Sequence, residues 1–485
     1  MFKTILKDSW KYLLLLLLVC FPLFLHLDAL TIRLWDESRL AINAYEMYHN
    51  GGYLIPTFDE APDMWNTKPP LMIWLQVFFM KIFGVNEWAI RLPSALAALF
   101  TCAILMLISV RYLKKFWFGF ICILVLVTSR GYVGYHAART GDYDALLTLF
   151  LTLGSFSFFA FIENSKAKYL YLFFISMAFA VLTKSSAALM ILPGFFIYTV
   201  IQKKLLFVLK NKHFYIGLLL FIICAGSYYV MREMYNPGYL KAVIENEFGG
   251  RFFDTIEHHK RGFWFYFGNL FDHRFIIWVL FLPIGIYKGL TNKDSRIKKL
   301  TLFSSVTALT YFLVISSAQT KLSWYVVPMY PFLALLVGVC IFHIFSWIKE
   351  KTKLKYKALP YIFLVIIFIT PYSLIISAIT KPKKYPWFED KNEITYYLKY
   401  VLQGKIQNDN FTVIYDGMFT HGKFYMNLLH EQGKSILVKK RDGIKTGEVV
   451  LISQDEVKKF LDENFEYITL EQFHKIGLYE IVAEK

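Results

Sequence analysis

The sequence is dominated by a succession of apolar runs, each long enough to cross a lipid bilayer as a helix. About 20 apolar helical residues span the hydrocarbon core of a membrane. We therefore predict a mainly α-helical, polytopic membrane protein with about eleven spans, in a range of about 11–13. The predicted spans lie near residues 11–30, 88–110, 116–135, 143–162, 168–183, 186–202, 213–232, 272–290, 299–317, 324–347 and 357–380.

Composition and charge agree with a membrane protein. Hydrophobic residues make up 56 % of the 485 residues and aromatic residues 19 %, and the mean hydropathy is +0.43. The net charge of +17 does not indicate nucleic-acid binding, because the basic residues punctuate the apolar runs, as in cytoplasmic loops. The five cysteines lie inside apolar runs without CxxC spacing, so neither a disulfide framework nor a zinc cluster is expected.

The distribution of basic residues predicts the orientation. Cytoplasmic loops of membrane proteins carry an excess of lysine and arginine. The short basic connections lie on the same side of the membrane as the N-terminus when the predicted spans are counted in order. The rule therefore predicts a protein of the inner (cytoplasmic) membrane with its N-terminus in the cytoplasm. They are Arg111 to Lys115, Lys166 to Lys168, Lys203 to Lys212, Lys288 to Lys299 and Lys349 to Lys357.

The same reasoning divides the chain into two domains. Residues 1–380 form the predicted membrane domain, with a first outer loop at 31–87 and a long outer loop at 233–271. Residues 381–485 form a predicted periplasmic α/β domain, because short apolar runs alternate there with helical stretches. That domain has no Gly-rich phosphate loop and no metal-ligand spacing, so we expect it to shape or cover the active face.

Two adjacent acids, Asp36 and Glu37, open the first outer loop after the first span. Asp36 suits the N-cap of an amphipathic helix at 37–50 that ends at Gly51 and lies in the membrane interface. A catalytic role for the acids is compatible with capping, and the residues alone leave both open. The run Leu71–Phe83 has only about 13 residues, so we expect it to be re-entrant or interfacial.

Lys68 stands directly before Pro69 and Pro70, which favour a stiff, extended backbone. A lysine held in this way could neutralise a phosphate. It could equally extend its ammonium group to lipid headgroups.

Further polar residues occupy the other predicted outer loops. Structural alternatives exist for them: capping of a span for an acid, snorkelling for a lysine, and an interface belt for the aromatic residues. The basic and phenolic candidates for phosphate binding are Arg139, Lys184, Arg251, Lys321 and Tyr325. The remaining candidates are Asp142, Asp144, His258 and His259.

Taken together, these residues suit a lipid-linked phosphate and a hydroxyl acceptor. Cleaving a sugar–phosphate bond requires stabilisation of the departing phosphate and deprotonation of the acceptor. No nucleotide fingerprint is present, so a donor drawn from the membrane is favoured over a nucleotide sugar. The alternative, a lipid or glycan transporter or flippase, predicts charges in mid-span and internal repeats, and the sequence shows neither.

Several segments in order resemble a known family. They include WDESRLAINAYEMYHNGGYLIPTFDE, KPPLMIWL, ARTGDYDALLTLF, LTKSSAALMILP and SSAQTKLSWYVVPMYPFLAL, and they extend through about residues 30–340. Together they resemble the GT-C glycosyltransferases, in the bacterial branch related to protein O-mannosyltransferases and aminoarabinose–lipid A transferases. The resemblance implies an inverting transferase that moves a sugar from an undecaprenyl-phosphate-like donor. The acceptor would be a hydroxyl or phosphate on a lipid, glycan or protein at the outer face of the membrane.

The resemblance also implies roles for individual residues. Asp36 matches the base or acceptor-orienting acid, with Glu37 and Asp144 as further catalytic candidates, and Lys68 matches the lysine that contacts the donor phosphate. Lys184 and Lys321 with Tyr325 match further family elements. Relatives often carry a glutamate before the KP lysine that in some helps to bind a metal. Thr67 stands here instead, so no metal or other cofactor is assigned, although Glu37, Asp144 and His258 or His259 could still form a metal site.

Overall fold

The computed structural model describes residues 2–253, 259–272, 274–352, 356–380, 389–408 and 410–485. The helices of its first half are α1 (Phe2–Phe24), α2 (Asp36–Asn50), α3 (Leu71–Phe83), α4 (Glu87–Leu107), α5 (Phe116–Val127), α6 (Arg130–Val133), α7 (Asp144–Asn164), α8 (Ala167–Lys184), α9 (Leu192–Ile201), α10 (Leu205–Leu209) and α11 (Lys212–Tyr235). A short hairpin, β1 (Thr57–Phe58) and β2 (Ala61–Pro62), lies in the first outer loop. A π-helical turn, Ile108–Leu113, extends α4, and a 3₁₀ segment, Ser185–Ile191, joins α8 to α9.

The second half of the membrane domain continues with α12 (Tyr239–Val243), the π-helical segment Ile244–Phe253, α13 (Phe265–Phe271), α14 (Ile276–Val279), α15 (Phe281–Leu290), α16 (Ser295–Ser317), the 3₁₀ turn Val327–Met329, α17 (Tyr330–Thr352) and α18 (Leu359–Thr380). Of the described residues, seven helices are long and apolar enough to span a membrane, and the bent pair Phe265–Phe271 with Ile276–Leu290 would make an eighth. The multi-span architecture is therefore confirmed. The predicted count of about eleven also includes α1, α5 and the division of Ala167–Ile201 into two spans.

Helices α8 and α9 run in opposite directions. The chain breaks at Ser185, where φ is 46°, and Lys184 just before it bonds Asp144 at the start of α7. After α9, the Lys204 ammonium group donates to the carbonyl of Ile162 near the end of α7. The chain therefore passes out along α8 and returns along α9, as two separate predicted spans require.

The basic connections meet at one end of the bundle. Lys115 lies 3.3 Å from Asp294, and Lys299 lies 2.8 Å from Glu163. The ring of Tyr12 packs at 4.7 Å on Phe116, so the first half of α1 belongs to this end as well. The predicted grouping of the basic loops with the N-terminal segment is thus present in the structure.

The tail forms a small α/β unit, as predicted. It contains α19 (Glu389–Leu402), β3 (Asn410–Ile414), α20 (Thr420–Glu431), β4 (Ser435–Lys439), the 3₁₀ turn Arg441–Gly443, β5 (Val449–Ile452), α21 (Asp455–Asn464), β6 (Phe465–Phe473) and β7 (Ile476–Glu484). The five strands form one sheet in the order β4-β3-β5-β7-β6. β3 is parallel to β4 and β5, and β7 is antiparallel to β5 and β6. The predicted boundary at residue 381 lies outside the described residues.

Helix α2 packs between the membrane domain and the tail. Its apolar residues, among them Leu40, Ala44 and Met47, are buried in one cluster with Met72 of α3 and Phe424 of α20. The helix is amphipathic as predicted. The prediction that its apolar face rests in the membrane interface is wrong, because protein already covers that face.

The tail is bonded directly to the first outer loop. The Tyr425 hydroxyl accepts a hydrogen bond from the Ile32 N–H at 2.9 Å and donates to Glu87 at 2.7 Å. The hydroxyls of Ser38 and Thr420 lie 2.6 Å apart. These buried contacts make the tail a support for the loop that carries Asp36.

We expect Tyr425→Phe to lower stability by about 1–3 kcal/mol, because a buried N–H and a buried carboxylate each lose a partner. The measurement is the thermal unfolding of the detergent-purified protein. Tyr235→Phe is the matched control, because the Tyr235 side chain is 73 % exposed. Equal unfolding temperatures for the two variants would contradict the role of Tyr425 in joining the tail to the first outer loop.

Candidate active site

Asp36 lies at the first turn of α2 with its side chain open to solvent. The side chain is 55 % exposed, and one carboxylate oxygen lies 3.8 Å from Nδ1 of His136. The prediction that Asp36 caps the helix is wrong. Helix α2 begins at Asp36 itself, and Trp35 occupies the N-cap with φ 80° and no side-chain cap. The predicted end of the helix at Gly51 is confirmed.

Glu37 is buried beneath Asp36 and is paired with Arg91. The Arg91 guanidinium donates to both carboxylate oxygens, at 2.7 and 3.1 Å. Burial alone would raise the pKa of Glu37, but Arg91 and two backbone N–H groups hold that pKa below its usual value. With its side chain 1 % exposed, Glu37 is placed to hold the loop rather than to meet a substrate.

The carboxylate of Glu37 also bonds the second outer loop. The Gly141 N–H donates to Oε1 of Glu37 at 2.8 Å. A Cβ at residue 141 would lie 2.4 Å from Cγ2 of Ile90, so only glycine permits this approach. Asp142 and Asp144 thereby come to the same side of the molecule as Asp36.

A network of polar side chains fixes the segment that leads to Lys68. Arg39 donates to both oxygens of Asp63, at 2.8 and 2.6 Å, and the Asn66 N–H donates to the same carboxylate at 2.9 Å. The Tyr239 hydroxyl donates to the carbonyl of Thr67 at 2.7 Å. The residue before Lys68 is therefore held from two sides, even though it offers no carboxylate.

Lys68, Lys184 and Tyr325, three of the predicted phosphate-binding residues, line one cavity together with the catalytic candidate Asp144. Lys184 bonds Asp144 at 2.6 Å and lies 5.2 Å from the centroid of the Tyr325 ring. Lys68 lies 3.6 Å from a carboxylate oxygen of Glu247. The ammonium groups and the phenol line the same space as the carboxylates of Asp144 and Glu247.

Glu247 is a cavity residue that the sequence did not reveal. Its side chain is 5 % exposed and its carboxylate faces Lys68. The 3.6 Å separation exceeds the roughly 2.7–2.9 Å of a charge-assisted hydrogen bond. A tighter anion, such as a phosphate, could therefore displace it from Lys68.

Lys321 lies beside this cavity rather than in it. Its ammonium group donates to the carbonyl of Ala318, and its backbone N–H donates to the His259 carbonyl at 3.1 Å. Burial lowers the pKa of Lys321. The predicted phosphate contact would require this ammonium group to leave its carbonyl.

Arg139 is placed away from the lysines. It donates to the carbonyls of Pro22 and Leu25 at 3.0 and 2.7 Å, so it stabilises the end of α1. Its predicted contact with the donor phosphate would require these donors to leave the helix-end carbonyls that they satisfy, and the contact stays a prediction. It lines a second cavity instead.

Two candidates of the long outer loop fall partly outside the described residues. The backbone of Arg251 lies in the π-helical segment Ile244–Phe253, but its side chain and all of His258 lie outside them. His259 contributes its carbonyl to Lys321. Their predicted roles stay predictions.

Arg91 and His136 complete the site and were not among the predicted site residues. Arg91 gave a signal that could have been used, since a lone arginine in an apolar helix normally has a buried partner. His136 stacks on the indole of Trp324, with ring centroids 3.6 Å apart. It lies six residues before Asp142 in the same loop and 3.3 Å from it, whereas its approach to Asp36, 100 positions earlier, results from tertiary folding.

Comparison with known proteins places the chain among glycosyltransferases. A family profile described as dolichyl-phosphate-mannose-protein mannosyltransferase matches residues 67–229. An undecaprenyl phosphate-alpha-4-amino-4-deoxy-L-arabinose arabinosyl transferase of Proteus mirabilis is 25 % identical over 358 residues, which cover 71 % of this chain and 61 % of that protein. The predicted resemblance is confirmed. An uncharacterized protein of Aquifex aeolicus is 24 % identical over 455 residues, covering 88 % and 99 % of the two chains.

The fold also matches a solved structure. The crystal structure of ArnT from Cupriavidus metallidurans bound to undecaprenyl phosphate superposes with a TM-score of 0.72 and 14 % identity, covering 97 % of this chain and 98 % of that one. At this identity the match shows the fold. Together with the sequence relatives, it confirms the GT-C architecture and the glycosyltransferase class.

Arg91→Met should destabilise the protein by about 3–5 kcal/mol, because it leaves a buried carboxylate without its counter-charge. The double variant Glu37→Gln/Arg91→Met should recover part of that loss. Unfolding temperature and purified yield measure the effect, with Arg111→Met at the basic end as control. A double variant no more stable than Arg91→Met would show that the pair is not coupled.

We expect the ion pair of Asp63 to make the protein lose stability in acid. Burial would raise its pKa, but Arg39 and its other hydrogen-bond donors lower it. The ion pair therefore contributes stability above the unfolded-state pKa of about 3.9, and this contribution is lost as the pH falls through the lower folded-state pKa. Asp63→Asn should be less stable than wild type at neutral pH and lose less stability below about pH 5. Unfolding temperature against pH tests this, and an Asp63→Asn curve parallel to that of the exposed control Asp455→Asn and of wild type would contradict it.

Proposed function

We propose that this protein transfers a sugar from a polyprenyl phosphate to a hydroxyl or phosphate acceptor at the outer face of the cytoplasmic membrane. The observation that carries the proposal is the cavity in which Lys68 and Lys184 converge. Asp36 has an exposed carboxylate that interacts electrostatically with Lys184 of this cavity. The matching arabinosyl transferase and the solved structure bound to undecaprenyl phosphate support a donor of this class.

The two lysines suit the departing phosphate. As the bond between the anomeric carbon and the phosphate oxygen breaks, negative charge accumulates on that phosphate. Lys68 and Lys184 lie in a buried cavity, where fixed cations stabilise developing charge more strongly than in water. The donor phosphate would replace Glu247 at Lys68, and Asp144 would keep the Lys184 ammonium group in position.

Asp36 suits the attacking side. In an inverting transfer, the acceptor oxygen attacks the anomeric carbon opposite the phosphate, and a base removes the acceptor proton. Asp36 stands on the rigid start of α2, which Glu37 and Arg91 hold in place. Its exposed carboxylate can reach a substrate that enters from outside the cavity. The products are the glycosylated acceptor and free polyprenyl phosphate.

A second cavity, of about 490 Å³, suits the acceptor. Arg33, Arg130 and Arg139 line its polar part, and residues of α14 and α18 form its apolar wall. Its described lining contains no carboxylate of its own. Arg33 precedes Asp36 by three residues, and Tyr135 of the same cavity adjoins His136. An acceptor with an anionic group and an apolar chain would reach Asp36 from this side.

The distribution of basic residues supports the proposed orientation. Lys115, Lys204 and Lys299 gather at the end opposite the two cavities. With that end in the cytoplasm, as the positive-inside rule favours, the cavities and the tail face outward. A lipid-linked donor and an envelope acceptor would then meet on one side of the membrane.

Asp36→Asn should lower sugar transfer by about 10²- to 10⁴-fold, because the base loses its proton-accepting form. Lys68→Met should lower turnover by about 10²- to 10³-fold, because one donor to the phosphate is removed. Each folded variant is purified and reconstituted into lipid vesicles, and the assay follows the consumption of polyprenyl-phosphate sugars.

Lys115→Met is the matched control for the lysine, because it removes a cation from the opposite end. Full turnover by Asp36→Asn would remove the base assignment. Equal effects of Lys68→Met and Lys115→Met would remove the phosphate site.

A further inference from the structure

Three side chains converge close in sequence to residues that line the two cavities, since His136 follows Tyr135 of the second cavity and Asp142 precedes Asp144 of the lysine cavity by two residues. Asp36, His136 and Asp142 each offer one ligand atom, and these atoms all lie within 4.8 Å of one another. Nδ1 of His136 is 3.3 Å from Asp142 and 3.8 Å from Asp36. The three residues come from two different outer loops, so the cluster exists only in the folded protein.

Two members of this cluster have buried ligand atoms without a hydrogen bond of acceptable geometry among the described residues. The side chains of His136 and Asp142 are 2 % and 1 % exposed. Within the described part of the chain, Nδ1 of His136 and both carboxylate oxygens of Asp142 have no hydrogen-bond partner of acceptable geometry. Leaving an ionised carboxylate in this state is costly, because buried charges normally pair or bind metals.

The distances fit a shared cation better than direct hydrogen bonds. Charge-assisted hydrogen bonds measure about 2.7–2.9 Å, and a single Nδ1 atom can serve only one of the two carboxylates well. Ligands at about 2.0–2.2 Å from one tetrahedral ion are about 3.3–3.6 Å from each other. The His136–Asp142 separation of 3.3 Å falls in that range, and the 3.8 Å to Asp36 is slightly longer.

We propose that Asp36, His136 and Asp142 bind one divalent transition-metal ion. An imidazole nitrogen with two carboxylates suits Zn²⁺ or Mn²⁺, and three protein ligands leave room for a water or a substrate oxygen. The site does not use position 67, so Thr67 does not argue against it. Ion binding itself does not depend on the proposed reaction.

The surroundings fix two of the ligands before an ion arrives. His136 is stacked on Trp324 with an interplanar angle of 9°, and its backbone has φ 58°. Gly141, just before Asp142, is bonded to Glu37. Asp36 is the exposed third ligand, so binding would restrict the rotation of the side chain proposed as the base. That positioning role rests on the proposed function, whereas the site does not.

The test is Mn²⁺ binding by the full-length protein in detergent after treatment with a chelator. Electron paramagnetic resonance reports free Mn²⁺, and Zn²⁺ competition reports whether both ions share a site. We expect one Mn²⁺ per chain, displaced by Zn²⁺. Asp142→Asn and His136→Gln should each weaken binding by about tenfold or more.

Asp36→Asn provides a second test that is independent of folding, because its side chain is exposed. It should also weaken Mn²⁺ binding. His343→Gln, which changes an exposed histidine of α17, should leave binding unchanged. Absence of stoichiometric binding by folded wild-type protein, or equal binding by Asp36→Asn and His343→Gln, would overturn the site. If the wild-type protein binds Mn²⁺ stoichiometrically but its membranes transfer no sugar, only the proposed function would be contradicted.

Discussion

The buried ion pair between Glu37 and Arg91 is the interaction on which the outer face depends. Arg91 bonds Glu37 and also donates to the carbonyls of Leu27, Leu30 and Thr31 at 2.9, 2.6 and 2.8 Å. Glu37 accepts the Gly141 N–H in return. One guanidinium thereby joins the exit of α1, the start of α2, helix α4 and the second outer loop. Because both charges are buried, neither can be removed cheaply.

This junction explains how separate loops form one site. The position of Asp36 is fixed because it adjoins Glu37 at the start of α2. The position of Asp142 is fixed because it adjoins Gly141, which bonds Glu37. The lysines are placed by other contacts: Lys68 by the network around Asp63, and Lys184 by Asp144 at the mouth of α7. The tail adds a further restraint through Tyr425. The two lysines and two carboxylates of the lysine cavity nearly balance in charge. This is compatible with a site at which an incoming anion replaces the carboxylate of Glu247 beside Lys68.

Much of the fold could be predicted because it depends on local patterns. Apolar length predicted the spans, the tail strands followed from short apolar runs, and basic loops predicted which connections share an end. Lys68, Lys184 and Tyr325 were predicted to act together because topology places them on one face. The partners of Arg139 and Glu37 could not be predicted, because residues 54 to 117 positions apart meet only in the tertiary structure. The same holds for the contact of His136 with Asp36, which are 100 positions apart, and for the burial of α2 under the tail.

The most direct test of the central claim is photocrosslinking of a polyprenyl phosphate whose reactive group lies next to the phosphate. The account predicts that mass spectrometry finds the label on the walls of the lysine cavity, in residues 184–190 and 311–325, and that excess unlabelled polyprenyl phosphate abolishes it. Labelling confined to the basic end around Lys115 and Lys299, or labelling that competitor does not reduce, would contradict a donor-phosphate site at Lys68 and Lys184.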